Sequence, residues 1–168
     1  MNDIFLGLGS NKNDKLDYLK KAVNYLASDK NCEVKQISSL YLTKPFGIKE
    51  QENYFNIAVR MLSSYDCMTC FRRIKEIEKL VGRTESYRWG PREIDIDLLF
   101  FNDLIYLSDE LTVPHPGITE RDFVLLPLLE IEPELRHPAL NLLLKKIDIS
   151  KLENHIIDKQ KFDFILES

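Results

Sequence analysis

Between Ile94 and Phe101 the chain reads Ile-Asp-Ile-Asp-Leu-Leu-Phe-Phe, an apolar run with two carboxylates one residue apart. Such a run predicts a strand, and a strand turns successive side chains to opposite faces. Ile94, Ile96 and Leu98 then share one face and Asp95 and Asp97 the other, with the aspartate Cα atoms roughly 6.5–7 Å apart. The apolarity points to a central place in a sheet. Two carboxylates at that spacing repel, and burying them unpaired is costly. A divalent cation answers both problems, and Mg²⁺ binds through one or two carboxylates, completing its shell with waters and substrate phosphates. Taken alone, the motif also fits two solvated aspartates on an open face.

Its company narrows the choice. Arg83, Arg88 and Arg92 precede the strand, around a Gly90-Pro91 turn and the only tryptophan, Trp89. Arginine's planar fork suits phosphate oxygens, so three of them beside a metal-binding pair point to a polyphosphate ligand. A solvated basic loop is the plainer alternative for each arginine singly.

The remaining elements follow from periodicity. Ile4 to Leu8 is a strand, and Leu16, Leu19, Val23 and Leu26 make the apolar stripe of a helix that Asn13 or Asp14 caps. Cys32 to Leu42 reads as one long strand, and Thr43 to Glu52 as a loop. Asn53 to Leu62 is a strand, and Asp66 to Val81 a helix stopped by Gly82. The order is βαββαβ, which predicts an α+β, ferredoxin-like core with a mainly antiparallel sheet and helices packed on it. C-terminal additions follow: a short Leu104–Tyr106 segment, a helix over Asp122–Ile131 despite Pro127, a short helix over Leu140–Lys146, and a tail over 147–168 that is a candidate strand. Without repeats or a linker, residues 1–168 are expected to form a single domain.

Composition excludes several classes. A chain of 168 residues, 44% hydrophobic and 30% charged, is an ordinary globular sequence able to bury a core. The net charge of −4 argues against a broad nucleic-acid footprint. The N-terminus lacks a signal peptide's pattern, and no run approaches the ~18 apolar residues of a membrane span. Three cysteines without a disulfide framework suit a reducing cytosol, so a cytoplasmic location is expected. Cys67 and Cys70 form a Cys-x-x-Cys pair, but no second pair or histidine completes a zinc set, and both fall on a helix that buries Cys70.

Other residues have chemistry to offer. Lys75 and Glu78, three apart on the second helix, share a face distinct from the apolar one and read most simply as an ion pair. His115 lies between prolines and can donate to a phosphate or be an ordinary surface histidine. Phe46, Tyr54, Trp89 and Phe123 could stack on a flat heterocycle, with Asn56 offering donor and acceptor to its edge, or be core. Gly7-Leu8-Gly9 is only a fragment of a dinucleotide fingerprint, and no Walker sequence is present.

Taken together, Gly9-Ser10-Asn11, Tyr54-Phe55-Asn56, Glu78 with Gly82-Arg83, Arg88-Trp89-Gly90-Pro91-Arg92, Asp95-Ile96-Asp97, Val113-Pro114-His115, Arg121 and Phe123 resemble the 6-hydroxymethyl-7,8-dihydropterin pyrophosphokinase family. The resemblance runs along nearly the whole chain but is weak past Lys146. It implies transfer of pyrophosphate from ATP to the hydroxymethyl oxygen of the pterin, releasing AMP, in tetrahydrofolate biosynthesis. It implies two Mg²⁺ ions held by Asp95 and Asp97, with Arg83 and Arg92 on the phosphates as catalytic residues. It also implies triphosphate contacts from Arg121 and His115, and nucleoside contacts from Lys75, Glu78, Leu98 and Thr112, with Trp89 closing on ATP as well. Tyr54 and Phe123 would sandwich the pterin, Asn56 would read its edge, and Thr43, Lys44, Phe46 and Trp89 would close around it. The partners expected are small molecules, with no nucleic acid or membrane, and a monomer.

Three features depart from well-known members. The Arg83–Arg88 stretch is one residue shorter than in some relatives and has Glu85 where a second arginine is often found; Glu110 replaces a basic residue, and Pro116 an aromatic. These bear on ATP contacts more than on the metal pair. Two other classes remain open: a palm nucleotidyltransferase or cyclase, which also hangs carboxylates on a strand, and a non-catalytic nucleotide or pterin sensor. Product identity separates all three.

Overall fold

Antiparallel ladders around one long strand organise the molecule. The structure, a computed structural model, describes residues 1–164. Its first elements are β1 (Asn2–Ser10), α1 (Lys15–Ser28), β2 (Cys32–Ile37), β3 (Leu40–Thr43), β4 (Tyr54–Ser63), α2 (Cys67–Val81) and β5 (Asp95–Phe101). Next come β6 (Tyr106–Leu107), β7 (Thr112–Val113), α3 (Asp122–Ile131), β8 (Arg136–His137), β9 (Leu142–Leu143) and β10 (Ile156–Gln160). The main sheet runs β10-β3-β4-β1-β5, with β2 pairing the far half of β4, and every ladder is antiparallel. This is the expected α+β arrangement. None of its described helices is long and apolar enough to cross a membrane.

Side-chain caps set the helix ends. Asp14 accepts a hydrogen bond from the Asp17 N–H at 3.1 Å, and Asp66 from the Thr69 N–H at 2.8 Å. Gly82, at φ +122°, ends α2 in a conformation that glycine adopts without strain. Leu19, Val23 and Leu26 of α1 and Ile74, Ile77 and Val81 of α2 cover Ile4, Leu6, Ile57 and Val59 of the sheet. Each such aliphatic side chain contributes about 1.5–3 kcal/mol. Cys70 belongs to that core, and burial pushes its thiol up to about 12, so the Cys-x-x-Cys pair is packing. The opposite face carries α3, with Leu125 and Leu128 on Phe5, Ala58 and Leu99.

Four expectations need correction. β5 is not central but lies at the sheet edge, beside β1 alone. Its outward backbone groups are nonetheless paired: the Ile96 N–H donates to Glu78 at 2.7 Å, the Ile96 carbonyl accepts from Lys75 at 3.2 Å, and the Leu99 carbonyl from the His115 N–H at 3.0 Å. The segment is apolar because one core buries Ile96 and Leu98 and the other Leu99 and Phe100, leaving only Asp95 and Asp97 open to the cleft, and side chains blunt its edge. The second correction is that the Cys32–Leu42 strand breaks at Ser38-Ser39, where the Ser38 hydroxyl accepts from the Ala58 N–H at 2.8 Å in place of a ladder bond. In the third, Leu140–Lys146 is not an α-helix: Leu142–Leu143 pairs with Arg136–His137 and a single 3₁₀ turn follows. In the fourth, Glu78 lies on the buried face of α2, not apart from it. The candidate tail strand forms at Ile156–Gln160, while Ile165 and Leu166 lie outside the described residues.

Candidate active site

Register builds the floor. Gly9 on β1 stands opposite Asn56 on β4 and Asp95 on β5, and Gly7 stands opposite Ala58 and Asp97. Paired residues of antiparallel strands project to the same side, so these side chains gather on the face away from α1 and α2. A Cβ at Gly9 would sit 2.6 Å from the Asn56 Oδ1. The two glycines are thus the flat bed of a cleft and not a dinucleotide fingerprint; their i, i+2 spacing on a strand was the signal.

One cavity opens over this bed and a second beside it, at the β5 edge. The first, about 180 Å³, is lined by Thr43, Lys44, Phe46, Tyr54, Asn56, Trp89 and Phe123, together with Arg83, Arg92, Asp95, Asp97 and Arg121. The second, about 270 Å³, is lined by Phe71, Lys75, Asp97, Leu98, Glu110, Thr112 and His115. Asp97 lines both. Every residue assigned above to the pterin, ATP or metal borders one cavity or the other except Glu78, while Arg88 lines neither and lies 5.4 Å over the Trp89 ring.

Glu78 stands behind the cleft. Its carboxylate accepts from the Ile96 N–H, from Lys75 Nζ at 3.1 Å and from Arg83 Nη1 at 2.6 Å. Arg83 Nη1 also donates to Asp95 at 3.2 Å. Burial opposes the guanidinium charge, but Glu78 and Asp95 outweigh it and hold the group firmly protonated. Asp97 accepts no hydrogen bond among the described residues. Burial and repulsion from Asp95 push its carboxyl well above the usual carboxylate range.

A guanidinium and an imidazole face these acids. Buried Arg121 Nε has no hydrogen-bond partner among the described residues, and its guanidinium lies 4.4 Å over the Phe46 ring and 5.7 Å over Trp89. His115 Nδ1 accepts from the Gly117 N–H at 3.0 Å, which assigns the ring proton to Nε2, 4.0 Å from Asp97. Burial and Arg121 lower the imidazole to about 4, so near neutral pH it is an uncharged donor aimed into the cleft.

Polar bolts outside the candidate set fix the loops. Asn11 donates to Gln51 at 2.9 Å and to the Glu52 carbonyl at 3.0 Å, and accepts from the Arg92 N–H at 2.9 Å. One amide so joins the 44–53 loop to the arginine loop. Buried Glu93 accepts from the Thr84 hydroxyl at 2.6 Å and pairs with Lys12 at 3.1 Å. Burial raises its pKa, but the Thr84 and Lys12 contacts outweigh this and hold it at about 2. A folded pKa below the unfolded value near 4.5 makes this stability complete above pH 4.5, with loss as pH falls toward 2. Between pH 6 and 3, urea unfolding should show a fall on the order of 2 kcal/mol that Glu93→Gln lacks; equal slopes would count against it.

Aromatic rings roof the first cavity. Phe46 meets Trp89 edge-on at 5.3 Å and Phe123 at 6.1 Å. Trp89 adopts φ +62°, rare for a bulky residue, with its carbonyl held by Gln51 at 2.8 Å. Gly47, at φ +83°, lies so close that a Cβ there would come within 3.0 Å of the indole. Burial and Asp95 push the Tyr54 hydroxyl up to about 12, so it stays a phenol.

Comparison with known proteins bears on what this cleft is for. The sequence model described as 7,8-dihydro-6-hydroxymethylpterin-pyrophosphokinase (HPPK) matches residues 5–133. The chain belongs to this pyrophosphokinase family. It is 42% identical over 138 residues to a 2-amino-4-hydroxy-6-hydroxymethyldihydropteridine pyrophosphokinase of Aquifex aeolicus, covering 82% of this chain and 85% of that one. A protein of the same name from Bacillus subtilis is 41% identical over 140 residues, covering 83% and 84%. In fold it resembles wild-type Plasmodium falciparum HPPK-DHPS with SDX-DHP, with a TM-score of 0.68 at 21% identity over 88% of this chain. The chain spans 43% of that solved protein, so the likeness speaks for the fold alone. As a family member the chain is a pyrophosphoryl transferase of folate synthesis acting on a pterin, with ATP as co-substrate.

Proposed function

We propose that the pterin occupies the first cavity and the nucleoside of ATP the second, so that pyrophosphate transfer takes place beside Asp95 and Asp97. Asp97 carries this proposal, because it lines both cavities. Tyr54 and Phe123 flank the heterocycle, and Asn56 reads its edge with Oδ1, which accepts no hydrogen bond among the described residues, while its Nδ2 donates to Thr43 at 2.7 Å. Thr43, Lys44, Phe46 and Trp89 close the cavity. Lys75, Leu98, Thr112 and His115 border the nucleoside side.

The donor set fits Mg²⁺: two carboxylates on one face, one of them without a side-chain hydrogen bond among the described residues and raised by burial and then by its neighbour's charge. Asp95 and Asp97 would hold two such ions. When bound, these supply positive charge to the triphosphate and the acceptor hydroxyl. Arg83 exchanges its Asp95 contact for phosphate while Glu78 keeps hold of it. Arg92, Arg121 and the neutral Nε2–H of His115 bind phosphate oxygens and steady the charge that builds as the acceptor oxygen attacks the β-phosphorus and AMP departs. Glu78 acts through Arg83 and Lys75. The proposal includes one monomeric domain working in the cytoplasm, which sedimentation and cell fractionation test.

The deciding experiment mixes protein, Mg²⁺, ATP and 6-hydroxymethyl-7,8-dihydropterin and follows AMP by chromatography. Pterin-dependent AMP is expected. Tight binding without turnover would favour a sensor, and a cyclic or polymeric product the palm class. Gly9→Ala should displace the Asn56 amide, raising the pterin KM about tenfold while leaving the ATP KM within about twofold. Equal changes in both would sink the Asn56 role.

A further inference from the structure

We propose that His155, acting with Asp122, is a positioning residue for the aromatic platform of the pterin cavity. The family match ends at residue 133, yet the chain returns at Ile156–Gln160 to extend the sheet beside β3. Just before that strand, His155 is 3% exposed, as is Asp122 at the start of α3. The Asp122 carboxylate accepts four N–H bonds: from the His155 backbone at 2.7 Å, the Ile156 backbone at 3.3 Å, the Phe123 backbone at 2.9 Å and His155 Nδ1 at 2.9 Å. Holding a buried carboxylate with that many donors makes the corner rigid.

What the corner holds is the platform. The imidazole meets the Phe123 ring edge-on at 5.3 Å and the Phe46 ring at 5.8 Å. The His155 carbonyl accepts from the Lys44 N–H at 2.8 Å, two residues before Phe46, and Asp122 directly precedes Phe123. His155 therefore contacts both rings and is tied to both backbone segments that carry them. Edge-to-face contacts fix tilt as well as distance, so the ring sets the spacing between Phe46 and Phe123. The polar end of the imidazole faces away, with Nε2 3.5 Å from Glu153. Among the described residues neither His155 nor the Asp122 carboxylate hydrogen-bonds Arg83, Arg92 or Arg121, and the ring contacts reach the phosphate side only through Phe46, whose ring lies 4.4 Å from the Arg121 guanidinium. The C-terminal segment thus tunes pterin affinity far more than ATP affinity.

This assignment rests on the pterin occupying the first cavity, and its test separates the two. Dissociation constants for 6-hydroxymethyl-7,8-dihydropterin and for a non-hydrolysable ATP analogue are measured by calorimetry on the full chain, for the wild type, His155→Ala, His155→Asn and Tyr54→Ala. His155→Ala should weaken pterin about tenfold and the ATP analogue less than about twofold. His155→Asn, which keeps a donor for Asp122 without the ring, should retain the fold and still bind pterin several-fold more weakly than the wild type. If His155→Ala fails to fold, the asparagine variant decides by the same two ratios. Unchanged pterin affinity in a folded variant, while Tyr54→Ala loses it, would overturn the role of His155 alone. Equal weakening of both ligands would reduce the residue to general stability and also overturn it. A wild-type chain that binds no pterin would remove the cavity assignment and this role together.

Discussion

Asp97→Ala is expected to lower turnover by at least about 10³-fold while leaving thermal stability unchanged or slightly raised. The two halves have one cause. Asp97 contributes no hydrogen bond to the fold among the described residues, and its carboxylate is held beside Asp95 against burial and repulsion. Removing it relieves that burial and repulsion, which outweigh the attraction to Lys75 and Arg121 that is lost with it. The same deletion removes one of two carboxylates available to a divalent cation where the cavities meet. AMP production and a thermal melt on the same preparation check both. Near-normal turnover would end the metal assignment, and a large loss of stability would show that Asp97 has a structural partner.

Glu78→Ala is expected to do the reverse, costing stability first and activity as a consequence. Its carboxylate accepts from the edge N–H of Ile96, from Lys75 and from Arg83, and is almost wholly buried. Without it, a buried backbone donor and two cations lose their partner, at a cost of about 3–5 kcal/mol. For a chain of this size the melting temperature should fall by about ten degrees. Arg83 then keeps only Asp95 as a partner among the described residues, so turnover should drop about 100-fold even where the variant is folded. Glu78→Gln keeps an acceptor for Ile96, and should recover stability better than activity. A melt within two degrees of wild type for the alanine variant would show that other groups hold the β5 edge.

These expectations set apart what local chemistry shows from what only packing shows. Helices α1 and α2 were legible because their stripes and caps are local: Asp14, Asp66 and Gly82 act within four residues of themselves. The carboxylate pair was legible because strand alternation is a local rule. The break at Ser38-Ser39 was not, because the bond that makes it comes from Ala58, twenty residues away. The edge position of β5 escaped for a related reason. A largely buried apolar strand looks the same at a sheet's edge as at its centre, and the pairing of Ile96 by Lys75 and Glu78 is a tertiary contact. Glu78 was chosen for the site by resemblance, but only the fold shows it facing inward.

By itself, then, the sequence determined the order of elements, the shared face of Asp95 and Asp97, and a family resemblance strong enough to name the reaction. Tertiary structure decided where the cavities meet, that Glu78 pairs with Arg83, and that His155 contacts Phe46 and Phe123 from a segment the resemblance did not reach. The physical reason is range. Alternation, capping and turn chemistry act over a few residues, whereas each of these contacts joins side chains or rings brought together only by the antiparallel register of the sheet and the helices packed upon it.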